Sequence, residues 1–175
     1  MKYLLLTLFI ISSAFAKAGT PSVAADLDSV KIFNFYLSQT IDLRKVENPN
    51  LYFEIYRWLG KPYLLGGSST SGIDCANFIK VIYAKIYQRN IDGNATTFFP
   101  KCSALEFSDM SAEGDLVFFK IGKSDISHVG IYLQHGKFAH ATVHGGVTIS
   151  DVEDPYWSKY FFKSARPEEV LSYVR

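Results

Sequence analysis

The apolar pattern of this chain changes period once, from helical in the first half to strand-like in the second, and that change restricts the fold more than any other feature. Leu51, Tyr52, Ile55, Tyr56 and Leu59 recur at the three- and four-residue spacing of a helix face. Asn48-Pro49 opens that helix with a capping residue and a proline at the first helical position; Gly60 and Pro62 close it. A second helix is predicted over 75–87, with Asp74 as its N-cap and Cys75, Ile79, Ile82 and Ile86 on one face. Past a polar stretch at 90–99, a Glu113-Gly114-Asp115 turn introduces strands predicted over 116–120, 128–134, 138–143 and 147–150. Helices followed by turn-linked strands predict an α+β domain with an antiparallel sheet.

At 175 residues the chain is long enough for one domain with a real core. Residues 17–48 carry no sharp motif, although 30–43 is apolar enough to pack as a helix on the body. Eighteen basic and seventeen acidic residues leave a formal charge of +1, without a dense basic patch, so nucleic acid is not an expected partner. Eleven Tyr and fourteen Phe are accounted for mainly as core, with some left to line a binding cleft.

The first residues read as an export signal. Lys2 is followed by a short apolar run, and Ser12-Ser13-Ala14-Phe15-Ala16 ends in an A-x-A cleavage pattern. The run is too short to span a bilayer stably; the alternative is an N-terminal anchor or a buried helix. The expected division is a signal peptide at 1–16, an extension at 17–48 and a catalytic domain at 49–175. The mature protein is expected outside the cytoplasm, in the periplasm or cell envelope, as a monomer without a membrane segment. No cysteine stands near the cleavage site to carry a lipid.

Two cysteines in an exported protein first suggest a disulfide, but the surroundings of Cys75 suggest chemistry instead. A cysteine in the first turn of a helix faces unsatisfied N–H groups and the positive dipole end, which lower a thiol pKa and favour the nucleophilic thiolate. Gly66, Gly67 and Gly72, just upstream, let a loop turn tightly and let a substrate backbone come close. The plainer alternative is a structural cysteine on a helix face. His128, opening a predicted strand, can serve as the general base of a thiol–imidazole pair, and His140 on the next strand can orient it. Four His and two Cys without an H-E-x-x-H motif give no recognisable zinc pattern.

Five blocks in order carry a resemblance: Tyr63-Leu64-Leu65-Gly66-Gly67, Gly72-Ile73-Asp74-Cys75, Gly114 to Phe119, His128-Val129-Gly130-Ile131-Tyr132 and Phe138-Ala139-His140-Ala141. Together they resemble the NlpC/P60 family of papain-like cysteine peptidases, which cut peptidoglycan stem peptides. Asp154-Pro155-Tyr156-Trp157 with Ser164-Ala165-Arg166 resembles its Spr-type murein endopeptidase branch. The resemblance implies a papain-like fold, with the nucleophile helix packed on the antiparallel sheet. It implies Cys75 as nucleophile, His128 as base and His140 as third member, with Tyr63 and Asp74 at the substrate and no cofactor. A same-fold amidase or acyltransferase, or a non-catalytic peptidoglycan-binding module, is the alternative reading. Two departures stand out: Ala76 replaces the serine that usually follows the nucleophile, and Leu65 replaces an aromatic residue before the paired glycines.

Strand parity constrains the third member. A two-residue turn at His135-Gly136 would put His128 and His140 on opposite faces; a three-residue turn through Lys137, or a bulge, restores a common face. That three-residue register would also set His144 opposite His128 as a rival, and the resemblance selects His140. Cys102, in the connection before the first strand, is either a small buried residue or a partner for Cys75 in a reversible disulfide, which needs Cα atoms within about 7 Å.

Overall fold

The computed structural model describes residues 23–105, 111–122 and 124–167; the predicted signal peptide at 1–16 lies outside them. Helix α1 spans Val23–Ser38, starting earlier and ending sooner than the expected 30–43. Thr40, at φ 64°, turns the chain out of it. Tyr36 anchors α1 to the body: it is fully buried, its hydroxyl donates to Tyr52 O at 2.7 Å, and its ring meets that of Tyr52 edge to face. Helix α2, Pro49–Trp58, begins at the predicted proline and buries Leu51, Tyr52, Ile55 and Trp58.

A two-stranded ribbon, β1 (Ser68–Ser69) and β2 (Gly72–Ile73), leads into α3 (Cys75–Ile82). The expected helix to residue 87 is regular only as far as Ile82; Tyr83–Tyr87 continues as a π-helical turn. The wider turn rotates the face that follows it, so Tyr87 is buried where Ile86 was expected. The Tyr83 hydroxyl donates to Gly114 O, and a Cβ on Gly114 would lie 2.0 Å from the Tyr87 hydroxyl. Position 114, at φ 91°, therefore admits only glycine.

Helix α4 (Ala95–Phe98) precedes strands β3 (Cys102–Ala104), β4 (Leu116–Phe119), β5 (His128–Tyr132), β6 (Lys137–Thr142) and β7 (Gly146–Asp151). Helix α5 (Pro155–Tyr160) runs directly into β8 (Phe161–Pro167). The six-stranded antiparallel sheet has the order β3-β8-β4-β5-β6-β7, so the last strand is inserted beside the first long one. Neither β3 nor β8 was predicted. One is only three residues long, and the other mixes Lys163 and Arg166 with apolar residues, which hides its period. Asp115, 2% exposed at its side chain, holds β8 in place by accepting two 2.7 Å bonds from the Arg166 guanidinium.

The sheet has a different apolar layer on each face. On one side α3 buries Ala76, Phe78, Ile79 and Ile82 toward β5 and β6, which offer Val129, Ile131, Ala139 and Ala141. On the other side Val117, Phe119 and Phe138 pack with Trp157 of α5. Alternation along β5 and β6 sends His128 and His140 to that second side, away from the layer that α3 covers.

Candidate active site

The loop before Cys75 is built by glycine and held by Asp74. A Cβ on Gly67 would stand 2.5 Å from Gly72 O, and one on Gly72 would stand 2.5 Å from Leu64 Cβ, so the ribbon closes only with both glycines. Asp74 caps α3 by accepting from the Asn77 N–H at 2.7 Å, and its second oxygen accepts from the Gly66 N–H at 2.8 Å. One carboxylate thereby ties the loop to the helix start. The first-turn N–H groups of Cys75 and Ala76 remain without intrahelical partners.

Strands β5 and β6 pair only at Ile131–Ala139 and Tyr132–Phe138, so they part toward His128. The Val129 backbone lies near enough to the Cys75 thiol to act on its pKa, in the lowering direction. Three residues, Gln134-His135-Gly136, make the hairpin turn, closed by Lys137 N–H to Gln134 O at 2.9 Å. The turn is three residues long as parity required, but it lies one position earlier than the expected turn through Lys137. Continuing that register sets Gly130 opposite His140 and Thr142 opposite His128. His144 is not opposite His128: it is exposed in the next turn, between β6 and β7.

His128 Nε2 and His140 Nδ1 are 3.0 Å apart, and His140 Nε2 is 2.9 Å from Ser150 Oγ. Aromatic rings enclose the two imidazoles. Trp157 stacks on His128 (5.3 Å, 26°) and meets His140 edge-on at 4.6 Å, while Phe138 stacks on His140 at 4.7 Å. Gly130 leaves space for this group, since a Cβ there would lie 2.6 Å from the Phe138 ring and 3.3 Å from His140 Cβ.

Burial sets the protonation states. His128, 7% exposed, is pushed down to about 4, and His140, with no exposure, is held well below the usual imidazole value by burial and then by His128. The Cys75 thiol goes the other way, to about 11. Burial raises it most and the Asp74 charge adds to this, against hydrogen bonds from Val129 and the helix-start amides. The helix start was expected to lower this thiol; its amides do act in that direction, but desolvation outweighs them. At neutral pH both partners rest uncharged. Among the described residues no hydrogen bond joins the thiol to an imidazole nitrogen; the thiol sits instead beside the residue that follows His128. Such pairs commonly tighten only when substrate excludes water.

Cys75 opens into a cleft of about 340 Å³ lined by Tyr63, Leu65, Asp74, Ala76, Thr96 and Ser127 among others. Tyr63 lies close enough to feel Cys75 and Asp74, which raise its phenol after burial has done so. Cys102 lines a different cavity, and β3 stands three strand spacings, about 14 Å, from β5. Among the described residues Cys75 and Cys102 form no disulfide with each other. Among the described residues no group of three or more His, Cys, Asp or Glu side chains is placed to hold a metal ion. No described helix is long and apolar enough to cross a membrane.

Ser150 and the rings of Phe119, Phe138 and Trp157 were not singled out as site residues from sequence. The signal was the β6–β7 pairing, which puts Ser150 opposite Phe138 and on the face of His140. This arrangement predicts unequal roles for two histidines. His140→Asn should lower kcat by about 10²-fold or more, because His128 loses its orienting partner. His144→Ala should leave kcat unchanged. Initial rates with circular dichroism as a fold control check both, and the reverse ranking would contradict the geometry.

The comparisons agree with this architecture. The NlpC/P60 family model matches residues 60–166. A probable endopeptidase of Haemophilus influenzae is 36% identical over 112 residues, covering 63% of this chain and 69% of the relative. The murein DD-endopeptidase MepS/murein LD-carboxypeptidase of Escherichia coli K12 is 33% identical over 109 residues, covering 62% of this chain and 57% of the relative. A crystal structure of an NLP/P60-family protein from Staphylococcus aureus superposes with a TM-score of 0.61 at 26% identity, covering 67% of this chain and 40% of that one.

Proposed function

The chain belongs to the NlpC/P60 family, and from that premise we propose that it is an exported cysteine endopeptidase hydrolysing amide bonds in peptidoglycan peptides. One observation carries the reading: a cysteine at the first turn of α3 opens into a cleft beside the strand that begins with His128, and His128 is backed by His140 at 3.0 Å. The name of the Escherichia coli relative, a murein DD-endopeptidase/murein LD-carboxypeptidase, supplies the substrate class.

In this reading substrate fills the cleft, and His128, at the end of β5 where β6 no longer pairs with it, turns around the end of the sheet to meet the Cys75 thiol. The thiol proton passes to the bare nitrogen of His128 as sulfur attacks the carbonyl carbon. The oxyanion is met by the Cys75 N–H, with the Tyr63 hydroxyl as the second donor in the cleft. His128 then protonates the leaving amine as the C–N bond breaks. Water, deprotonated by His128, releases the acyl group and restores the thiol. Asp74 supports the site by holding its loop, since each of its oxygens already accepts an N–H. Ala76 and Leu65 line the cleft with apolar side chains among polar ones such as Asn94, Thr96 and Ser127.

Mass spectrometry of muropeptides tests the proposal. Incubation with purified peptidoglycan should release fragments with one new carboxyl and one new amine terminus, whose masses identify the bond cut. Prior treatment with iodoacetamide should stop the release. An unchanged muropeptide profile with a folded, alkylatable protein would reject the peptidase reading in favour of a binding module.

A further inference from the structure

We propose that Ser150 is a positioning residue for the base: its Oγ accepts the Nε2–H of His140 and so keeps the unprotonated Nδ1 of His140 turned toward His128. The inference rests on the reading of His128 as the base. It begins from two contacts, His128 Nε2 to His140 Nδ1 at 3.0 Å and His140 Nε2 to Ser150 Oγ at 2.9 Å.

Two neutral imidazoles in contact share one proton between the facing nitrogens. If His140 Nδ1 carries it, His128 Nε2 must accept, and the remaining proton of His128 sits on its Nδ1. No lone pair is then left to take a proton from a thiol. If His128 Nε2 carries it instead, His128 Nδ1 is bare and competent, His140 Nδ1 accepts, and the proton of His140 sits on Nε2. Only this second arrangement gives a base, and it requires an acceptor beyond His140 Nε2. Ser150 Oγ is at that position. The same arrangement serves when His128 becomes an imidazolium, because its Nε2–H still points at His140. Ser150 thus acts as an acceptor throughout the cycle.

The surroundings leave this task to Ser150. Phe138 stacked on His140 and Trp157 against its edge fix the plane of the ring, but neither can select which nitrogen holds the proton. Register places Ser150 correctly: it lies opposite Phe138 while Thr148 lies opposite His140, so the hydroxyl reaches the imidazole from the diagonal position on the same face. A hydroxyl accepts without adding charge, which suits two histidines that burial holds neutral.

Nitrogen-15 NMR of the imidazoles tests this in the wild-type protein at neutral pH. The expected result is a proton on Nε2 of both His128 and His140; a proton on Nδ1 of His140 overturns the proposal. Ser150→Ala should introduce the other tautomer, slow iodoacetamide alkylation of Cys75, and lower kcat about 3- to 10-fold at unchanged KM, the range of one neutral hydrogen bond. Ser150→Thr should restore all three. Unchanged tautomers and alkylation in Ser150→Ala overturn the proposal, and if that variant does not fold, the wild-type spectrum and Ser150→Thr still decide. Spectra and alkylation need no peptidoglycan, so the expected tautomers in a protein that cuts no peptidoglycan would reject the functional reading and leave the role of Ser150 standing.

Discussion

Cys75→Ala is expected to abolish hydrolysis of purified peptidoglycan, with kcat/KM falling by about 10⁴-fold or more, while the domain stays folded. The substitution removes one sulfur atom from a partly buried position and leaves the Asp74 cap and the apolar face of α3 in place. His128 needs a gentler change. Its ring stacks on Trp157 and fills space between two aromatic side chains, so alanine would open a cavity as well as remove the base. His128→Gln keeps much of the volume and should cost nearly as much activity as Cys75→Ala. The double variant should be scarcely worse than either single one, because nucleophile and base act as a unit. Fragment release followed by mass spectrometry, with thermal unfolding as the fold control, measures all three. Substantial activity in Cys75→Ala would refute the proposed mechanism.

Acid should weaken the fold through the same histidines. An unfolded chain protonates His128 near 6.5, whereas the folded protein resists until about 4, because the charged ring would be buried among aromatic groups. Between those values the unfolded state binds more protons, so stability falls as pH falls. The contribution is complete above 6.5 and gone by about 4, a loss of about 3 kcal/mol at roughly 1.4 kcal/mol per unit. His140, fully buried and shifted in the same direction, adds to the loss. Asp151, whose carboxyl is lowered by Lys137, releases its contribution only at still lower pH, which keeps the two windows apart. Urea unfolding at about pH 7.5, 5.5 and 4 should show the midpoint falling across this range, and His128→Gln should flatten the curve. Equal midpoints at the two ends would mean that the imidazoles are not buried as described.

Local chemistry made much of this protein legible from its residues. Pro49 at a helix start, Asp74 as a cap and the period change after residue 99 are each decided within a few positions along the chain, and α2, the start of α3 and strands β4 to β7 follow from them. The resemblance of five ordered blocks named the family, and Cys75, His128 and His140 could be marked in advance. What the sequence alone left open depends on residues far apart in the chain. β8 lies between β3 and β4, where Arg166 meets Asp115, 51 residues away, and no local period reports that. The turn at 134–136 was settled by a positive φ at His135 and Gly136, which placed the register one position from the expected one. Above all, the protonation states come from desolvation. A helix start lowers a thiol wherever it occurs, but whether that survives depends on how much water the surrounding layers exclude, and at Cys75 they exclude enough to reverse the sign. Ser150 entered the site for the same reason: only the folded sheet brings a hydroxyl on β7 to the far nitrogen of His140, the contact on which the proton order from Ser150 back to His128 depends.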